Sequence, residues 1–141
     1  QWQVEQTSGA VVAELHARGI TDFDPVICYQ SQVGPLEWIG PATEDEIKRA
    51  GADKVPLVVV PIAFVSEHSE TLVELDIEYR EVADHAGVPA YHRVATVGTA
   101  PAFIAALAEI VEGASGAGAR TCHPSGSRLC PAEGGKCPAA G

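Results

Sequence analysis

Positive charge is what this sequence has little of. Nine Lys and Arg stand against nineteen Asp and Glu, a formal charge of −10 at pH 7. Such a surface repels phosphate backbones, which excludes nucleic acid as a ready partner, and it attracts cations. Long apolar runs are also missing. No stretch of about 18 uninterrupted apolar residues occurs, so no transmembrane helix is expected. The first residues show no basic-then-apolar secretory leader. Tight C-x2-C pairs are absent, which argues against a zinc ribbon. What remains is 141 residues, 46% of them apolar, enough for one domain around one core and too apolar for wholesale disorder. The chain opens on Gln1 rather than Met, and we expect it to be a processed piece or a fragment.

Helix-like and strand-like segments alternate. Residues 4–18 read as a helix ending at Gly19. Residues 24–29 (DPVICY) are short, apolar and partly β-branched, a strand. Residues 34–41 (GPLEWIGP) form a loop bounded by Gly and Pro, and Thr43 is placed to cap a helix through Ala50 with Glu46 at the capping-box position. Residues 55–65 (VPLVVVPIAFV) are almost continuously apolar, as in a strand buried on both faces of a parallel sheet. Over residues 69–85 the spacing of Leu72, Leu75, Tyr79, Val82 and Ala86 predicts one apolar helical face. Residues 90–97 make a weaker strand, and residues 101–111 a helix with Pro in its first turn. Strands separated by helices argue for βαβ units, hence an α/β fold with helices on both faces of a mostly parallel sheet. Three strands are few for such a sheet, and a partner half is expected. From residue 113 the chain turns Gly/Ala/Ser-rich, a linker to a cysteine-bearing irregular tail, so the organisation reads as a domain over 1–112 and a tail over 113–141.

The chemistry-bearing residues concentrate after the long apolar run. In open α/β sheets ligands bind outside the carboxyl ends of the strands, where Ser66-Glu67-His68-Ser69-Glu70 falls. His68 and Glu70 are metal ligands or proton acceptors by type. Glu70, Glu74 and Glu78 recur at i, i+4 and i+8, and residues 67–84 hold seven acids (67, 70, 74, 76, 78, 81, 84) against one Arg. Such a row is ordinarily the solvated face of an amphipathic helix. Like charges at i, i+4 nevertheless repel, and a carboxylate row leading to a crevice can guide hydrated divalent cations. Gln30 and Ser31 end the first predicted strand at the same edge. Trp38, between Gly34-Pro35 and Gly40-Pro41, serves either packing or an aromatic wall beside a flat apolar ligand.

The tail reads Cys122-x7-Cys130-x6-Cys137. Three thiols in a loop-rich tail point to coordination, with unligated surface cysteines as the other reading. A [2Fe–2S] centre takes four thiolates, so the tail is one short. Cys28, in a predicted strand, is read as a small core hydrophobe and not as the fourth ligand.

The runs QSQVGPLEWIGPAT (30–43) and VPIAFVSEHSETLVELDIEY (60–79), with VGTAP (97–101), closely resemble the C-terminal half of ferrochelatases across nearly all of residues 1–112. The tail is similar to that of cluster-carrying proteobacterial members. This resemblance implies a Rossmann-like, three-layer αβα half of a two-half enzyme that inserts Fe2+ into protoporphyrin IX with loss of two protons. It implies that Glu70 faces the macrocycle in proton removal or metal delivery, with His68 before it in the motif. Glu74 and Glu78 then belong to the acidic row on a partly π-helical stretch. Gln30, Ser31 and Trp38 match residues lining the porphyrin site, and Cys122, Cys130 and Cys137 match [2Fe–2S] ligands. The family's active-site histidine and fourth cluster cysteine lie upstream of the segment matched here, so this chain alone should not catalyse insertion. The resemblance further implies a cytoplasmic setting, with room for peripheral contact at the inner membrane face and for a homodimer. A non-catalytic metal-binding or Fe–S regulatory module is the competing expectation. The chemistry agrees with the enzyme: two pyrrole protons must leave as the metal enters, so an acceptor is needed at the ring centre.

Overall fold

The computed structural model describes residues 1–30, 38–117 and Pro131. The chain divides into two units, one built on residues 3–98 and the other on residues 99–141. The first contains α1 (Trp2–Ala17), α2 (Thr43–Asp53), β1 (Leu57–Val59), a π-helix (Glu70–Glu78), α3 (Tyr79–Ala86) and β2 (Tyr91–Arg93). The second carries α4 (Pro101–Ala117), which runs past its predicted end at residue 111. Among the described residues, no helix is long and apolar enough to cross a membrane.

β1 and β2 pair in parallel, with Leu57 opposite Tyr91 and Val59 opposite Arg93. The helical connection between them makes a βαβ unit, so the fold is α/β with a parallel sheet. The strands are shorter than predicted, and prolines account for much of it, because Pro donates no N–H to a ladder. Pro56 and Pro61 bracket β1, and Pro89 precedes β2. The predicted strand over residues 24–29 is reduced to one parallel bridge between Tyr29 and Ala42. There the Tyr29 N–H donates to the Pro41 carbonyl at 2.9 Å and the Thr43 N–H to the Tyr29 carbonyl at 3.0 Å. The expectation that residues 55–65 are buried on both faces is corrected: Val58 is 65% exposed, while Leu57 and Val59 pack inward.

The core joins α2, α3 and the sheet. Ile47 and Ala50 of α2 meet Ala83, Val88 and Tyr91, with Leu57, Val59, Tyr79, Val82 and Ala86 packed around them. Thr43 is not the N-cap of α2; Ala42 is, and no side chain caps this end. Thr43 lies inside the helix, buried, where its hydroxyl pairs with the half-buried Cys28 thiol. α3 ends at Gly87 in the left-handed region, φ 78°, a conformation that costs glycine no Cβ clash.

The closest approach of α2 to α3 is set by Gly51, where a Cβ would run into the backbone carbonyl of Ala86. Backbone cannot give way as a side-chain end can, so Gly51→Ala should cost about 1–3 kcal/mol or more by forcing the helices apart. Denaturant unfolding monitored by circular dichroism checks this; an unchanged midpoint would contradict the close packing.

Candidate active site

Both strands end at one edge, and the loops that follow them are tied together there. The Val94 N–H donates to the Val59 carbonyl at 2.9 Å, and the Gly98 N–H to the Val65 carbonyl at 2.8 Å. The SEHSE peptide therefore leaves the carboxyl end of the sheet, as its sequence position predicted.

Arg93, the last residue of β2, organises this edge. Its side chain is only 9% exposed. The guanidinium forks onto Asp76 of the π-helix, Nε to Oδ1 at 2.7 Å and Nη2 to Oδ2 at 2.5 Å. Its Nη1 reaches both Glu67 oxygens, at 2.8 and 3.0 Å. The Thr96 N–H also donates to Glu67 Oε1 at 3.0 Å. Hydrogen bonds from the Thr71 hydroxyl, from Arg93 and from the Thr96 N–H hold the Glu67 carboxyl down to about 2. Arg93 likewise holds Asp76 below its ordinary value.

The acidic face lies on the π-helix, in which hydrogen bonds reach back five residues; the Tyr79 N–H meets the Glu74 carbonyl. The α-helical stripe predicted over residues 69–85 is corrected in its first half. Leu72 is 48% exposed, whereas Thr71 and Leu75 are buried. The wider turns carry Leu72 outward, while Leu75 is buried as the stripe predicts, and in α3 Tyr79, Val82 and Ala86 reach the core. Glu70, Glu74 and Glu78 still share a face, lining an open depression of about 250 Å3 with Ser69 and Val73. Glu67 and Asp76 are not free members of the acidic run, since Arg93 takes both.

Glu70 and His68 are neighbours. The Glu70 N–H donates to His68 Nδ1 at 3.2 Å, which makes Nδ1 the acceptor and leaves the ring proton on Nε2. Glu70 Oε2 lies 3.9 Å from the same nitrogen. The imidazole stands edge-on to Phe64, with ring centroids 4.5 Å apart. Thr71 fixes the turn: its Oγ1 accepts from the His68 N–H at 3.0 Å and lies equally close to the His68 carbonyl.

Gln30 joins the same face from 40 residues away. Its Nε2 donates to the Glu70 carbonyl at 3.2 Å and to Glu74 Oε2 at 3.1 Å. The Tyr79 hydroxyl donates to Glu74 Oε1 at 3.0 Å, so both oxygens of this carboxylate are held. Trp38, 43% exposed, donates from Nε1 to the Gln30 carbonyl at 3.1 Å. Gln30, Trp38, His68, Glu70, Glu74 and Glu78 thus come together. Ser31, Cys122, Cys130 and Cys137 lie outside the described residues. Cys28 is a free thiol whose pKa is pushed up by burial. Among the described residues, no three His, Cys, Asp or Glu side chains are grouped to hold a metal ion.

Sequence reasoning missed Arg93 and Tyr91. Tyr91 is buried, donates from its hydroxyl to the Leu75 carbonyl of the π-helix at 2.8 Å, and lies under the Arg80 guanidinium. Burial pushes its phenol up to about 12. Neither residue stands in a motif; both act across sequence separations of 16 to 26 residues.

The lowered Glu67 carboxyl sets a pH window. A group with a depressed folded-state pKa contributes stability above its ordinary value, here 4.5, and loses that contribution as pH falls through about 2. Thermal unfolding followed across this range should show a declining midpoint. Glu67→Gln should start lower at neutral pH and decline less; an acid limb as steep as the wild type's would remove Glu67 from the clamp.

Against known proteins, the family model described as ferrochelatase matches residues 1–115. The ferrochelatase of Caulobacter vibrioides is 49% identical over 138 residues, covering 98% of this chain and 39% of that protein. That of Phenylobacterium zucineum is 52% identical over 138 residues, covering 96% and 38%. The Rickettsia felis ferrochelatase is 47% identical over 138 residues, covering 96% and 39%. The chain thus spans about two fifths of the length of the curated relatives it matches. With its SEHSE peptide at the open edge of a parallel sheet and a π-helix carrying the acidic row, this chain belongs to the ferrochelatase family.

Proposed function

We propose that this chain is the C-terminal part of a ferrochelatase that inserts Fe2+ into protoporphyrin IX to form protohaem in haem biosynthesis. The observation that carries this is the convergence of Glu70, Glu74 and Glu78 on one depression beside His68, Gln30 and Trp38. Insertion exchanges two pyrrole protons for one divalent ion, so the site needs an acceptor at the ring and a path for the cation. Glu70, 45% exposed and next to His68, takes the acceptor role. Glu74 and Glu78 extend the carboxylate row along the π-helix, offering oxygen ligands to a hydrated hard cation. Trp38 supplies an aromatic surface, and Gln30 and Ser31 line the porphyrin side. The opposite wall and the remaining active-site histidine come from the upstream part, without which this chain is inactive. A cytoplasmic setting, peripheral contact at the inner membrane face and a homodimer belong to the same proposal, by the resemblance to ferrochelatases.

A [2Fe–2S] centre on Cys122, Cys130 and Cys137 belongs to the same proposal. Three thiolates are one fewer than such a centre takes. By the resemblance to cluster-carrying ferrochelatases, the fourth ligand is assigned to the upstream part.

Glu70→Gln in the complete polypeptide should lower Fe2+ insertion at least about a hundredfold, within the range of general acid–base contributions. Porphyrin binding, read by fluorescence, should persist. Wild-type turnover in this variant would take Glu70 out of the chemistry. A wild-type polypeptide that binds iron yet never metallates porphyrin would favour the non-catalytic metal-binding or Fe–S module instead.

A further inference from the structure

We propose that Arg93 is a positioning residue for metal insertion, holding His68 and Glu70 in register by clamping both ends of the segment that carries them. This rests on the enzymatic reading above and assigns a role to a residue outside the acidic motif.

The geometry is specific. Glu67 immediately precedes His68, and Asp76 sits on the π-helix beyond Glu70 and Glu74. One guanidinium binds both, at 2.8 and 3.0 Å to Glu67 and at 2.7 and 2.5 Å to Asp76. Arg93 is itself anchored by the parallel register opposite Val59 and by the Val94 N–H bond to the Val59 carbonyl. The clamp therefore refers the whole stretch from Glu67 to Asp76 to the end of the sheet. Arg93 stands outside the apolar core cluster of Ile47, Ala50, Ala83, Val88 and Tyr91, and it does not line the depression formed by Ser69, Glu70, Val73, Glu74 and Glu78. Its effect on chemistry must pass through the groups it holds. A planar fork with five donors can satisfy two carboxylates at once; an ammonium keeps the charge but not the geometry. A displacement of about 1 Å at a reacting group can cost around a hundredfold in rate.

The test uses Arg93→Lys in the complete polypeptide, with rates expressed per porphyrin-binding site so that misfolded protein does not count. Turnover should fall about 30- to 100-fold, while the porphyrin KM stays within about threefold. The nitrogen NMR signal of His68 Nδ1, which reports its bond from the Glu70 N–H, should shift in the same variant. Glu67→Gln frees the loop end but leaves the Asp76 fork, so it should reproduce both effects and decides the matter if Arg93→Lys does not fold. Combining the two substitutions should be no worse than the stronger single change. Wild-type turnover per site together with an unmoved His68 signal would overturn the proposal. If the wild-type protein itself metallates no porphyrin, the enzymatic reading fails, and the His68 signal alone still decides whether Arg93 positions this segment.

Discussion

A buried guanidinium shared between two carboxylates holds the open edge of this sheet. Two three-residue strands offer few ladder hydrogen bonds, and the backbone bonds of Val94 to Val59 and Gly98 to Val65 tie the loops beyond them. Arg93 adds the side-chain tie to the π-helix, with charge-assisted bonds to Glu67 and Asp76 from a side chain 9% exposed. The two carboxylates, 33% and 29% exposed, face water on one side while the guanidinium between them is largely covered. Tyr91, two residues earlier on the same strand, adds a second tie through its hydroxyl bond to Leu75. Alternate residues of a three-residue strand thus fix the π-helix.

That fixation gives the acidic face its chemistry. Glu74 is held at both oxygens, by Gln30 and Tyr79. Glu70 is held through its backbone, its N–H on His68 and its carbonyl on Gln30, which leaves the carboxylate facing the depression. A fixed backbone beneath an outward carboxylate suits the proton-acceptor role proposed for Glu70. The wider π-helical turn also explains why Thr71, rather than Leu72, points inward beside Leu75.

Much of this was legible in the residues. Alternating apolar and helical segments pointed to the α/β class, and the block at the end of the apolar run marked the candidate site because ligands gather at strand carboxyl ends. The SEHSETLVELDIEY motif carried the family, and with it the expectation of π-helical character that periodicity alone misread as one α-helix. Strand lengths were less legible, since the apolar run over residues 55–65 does not by itself confine the ladder to Leu57–Val59 between Pro56 and Pro61. The Thr43 cap failed because Thr43 finds Cys28 across the fold, a competition no local window contains. Arg93 and Tyr91 were invisible for the same reason: an isolated Arg or Tyr in a short strand has no signature until the chain brings its partners to it.

The most direct test of the whole account is a crystal structure of the complete polypeptide with metal-free protoporphyrin IX bound. The account expects the four pyrrole nitrogens to face the Glu70 carboxylate, with Trp38 against the macrocycle and Glu74 and Glu78 leading away along the π-helix. A macrocycle seated elsewhere, with Glu70 turned to bulk solvent, would contradict it.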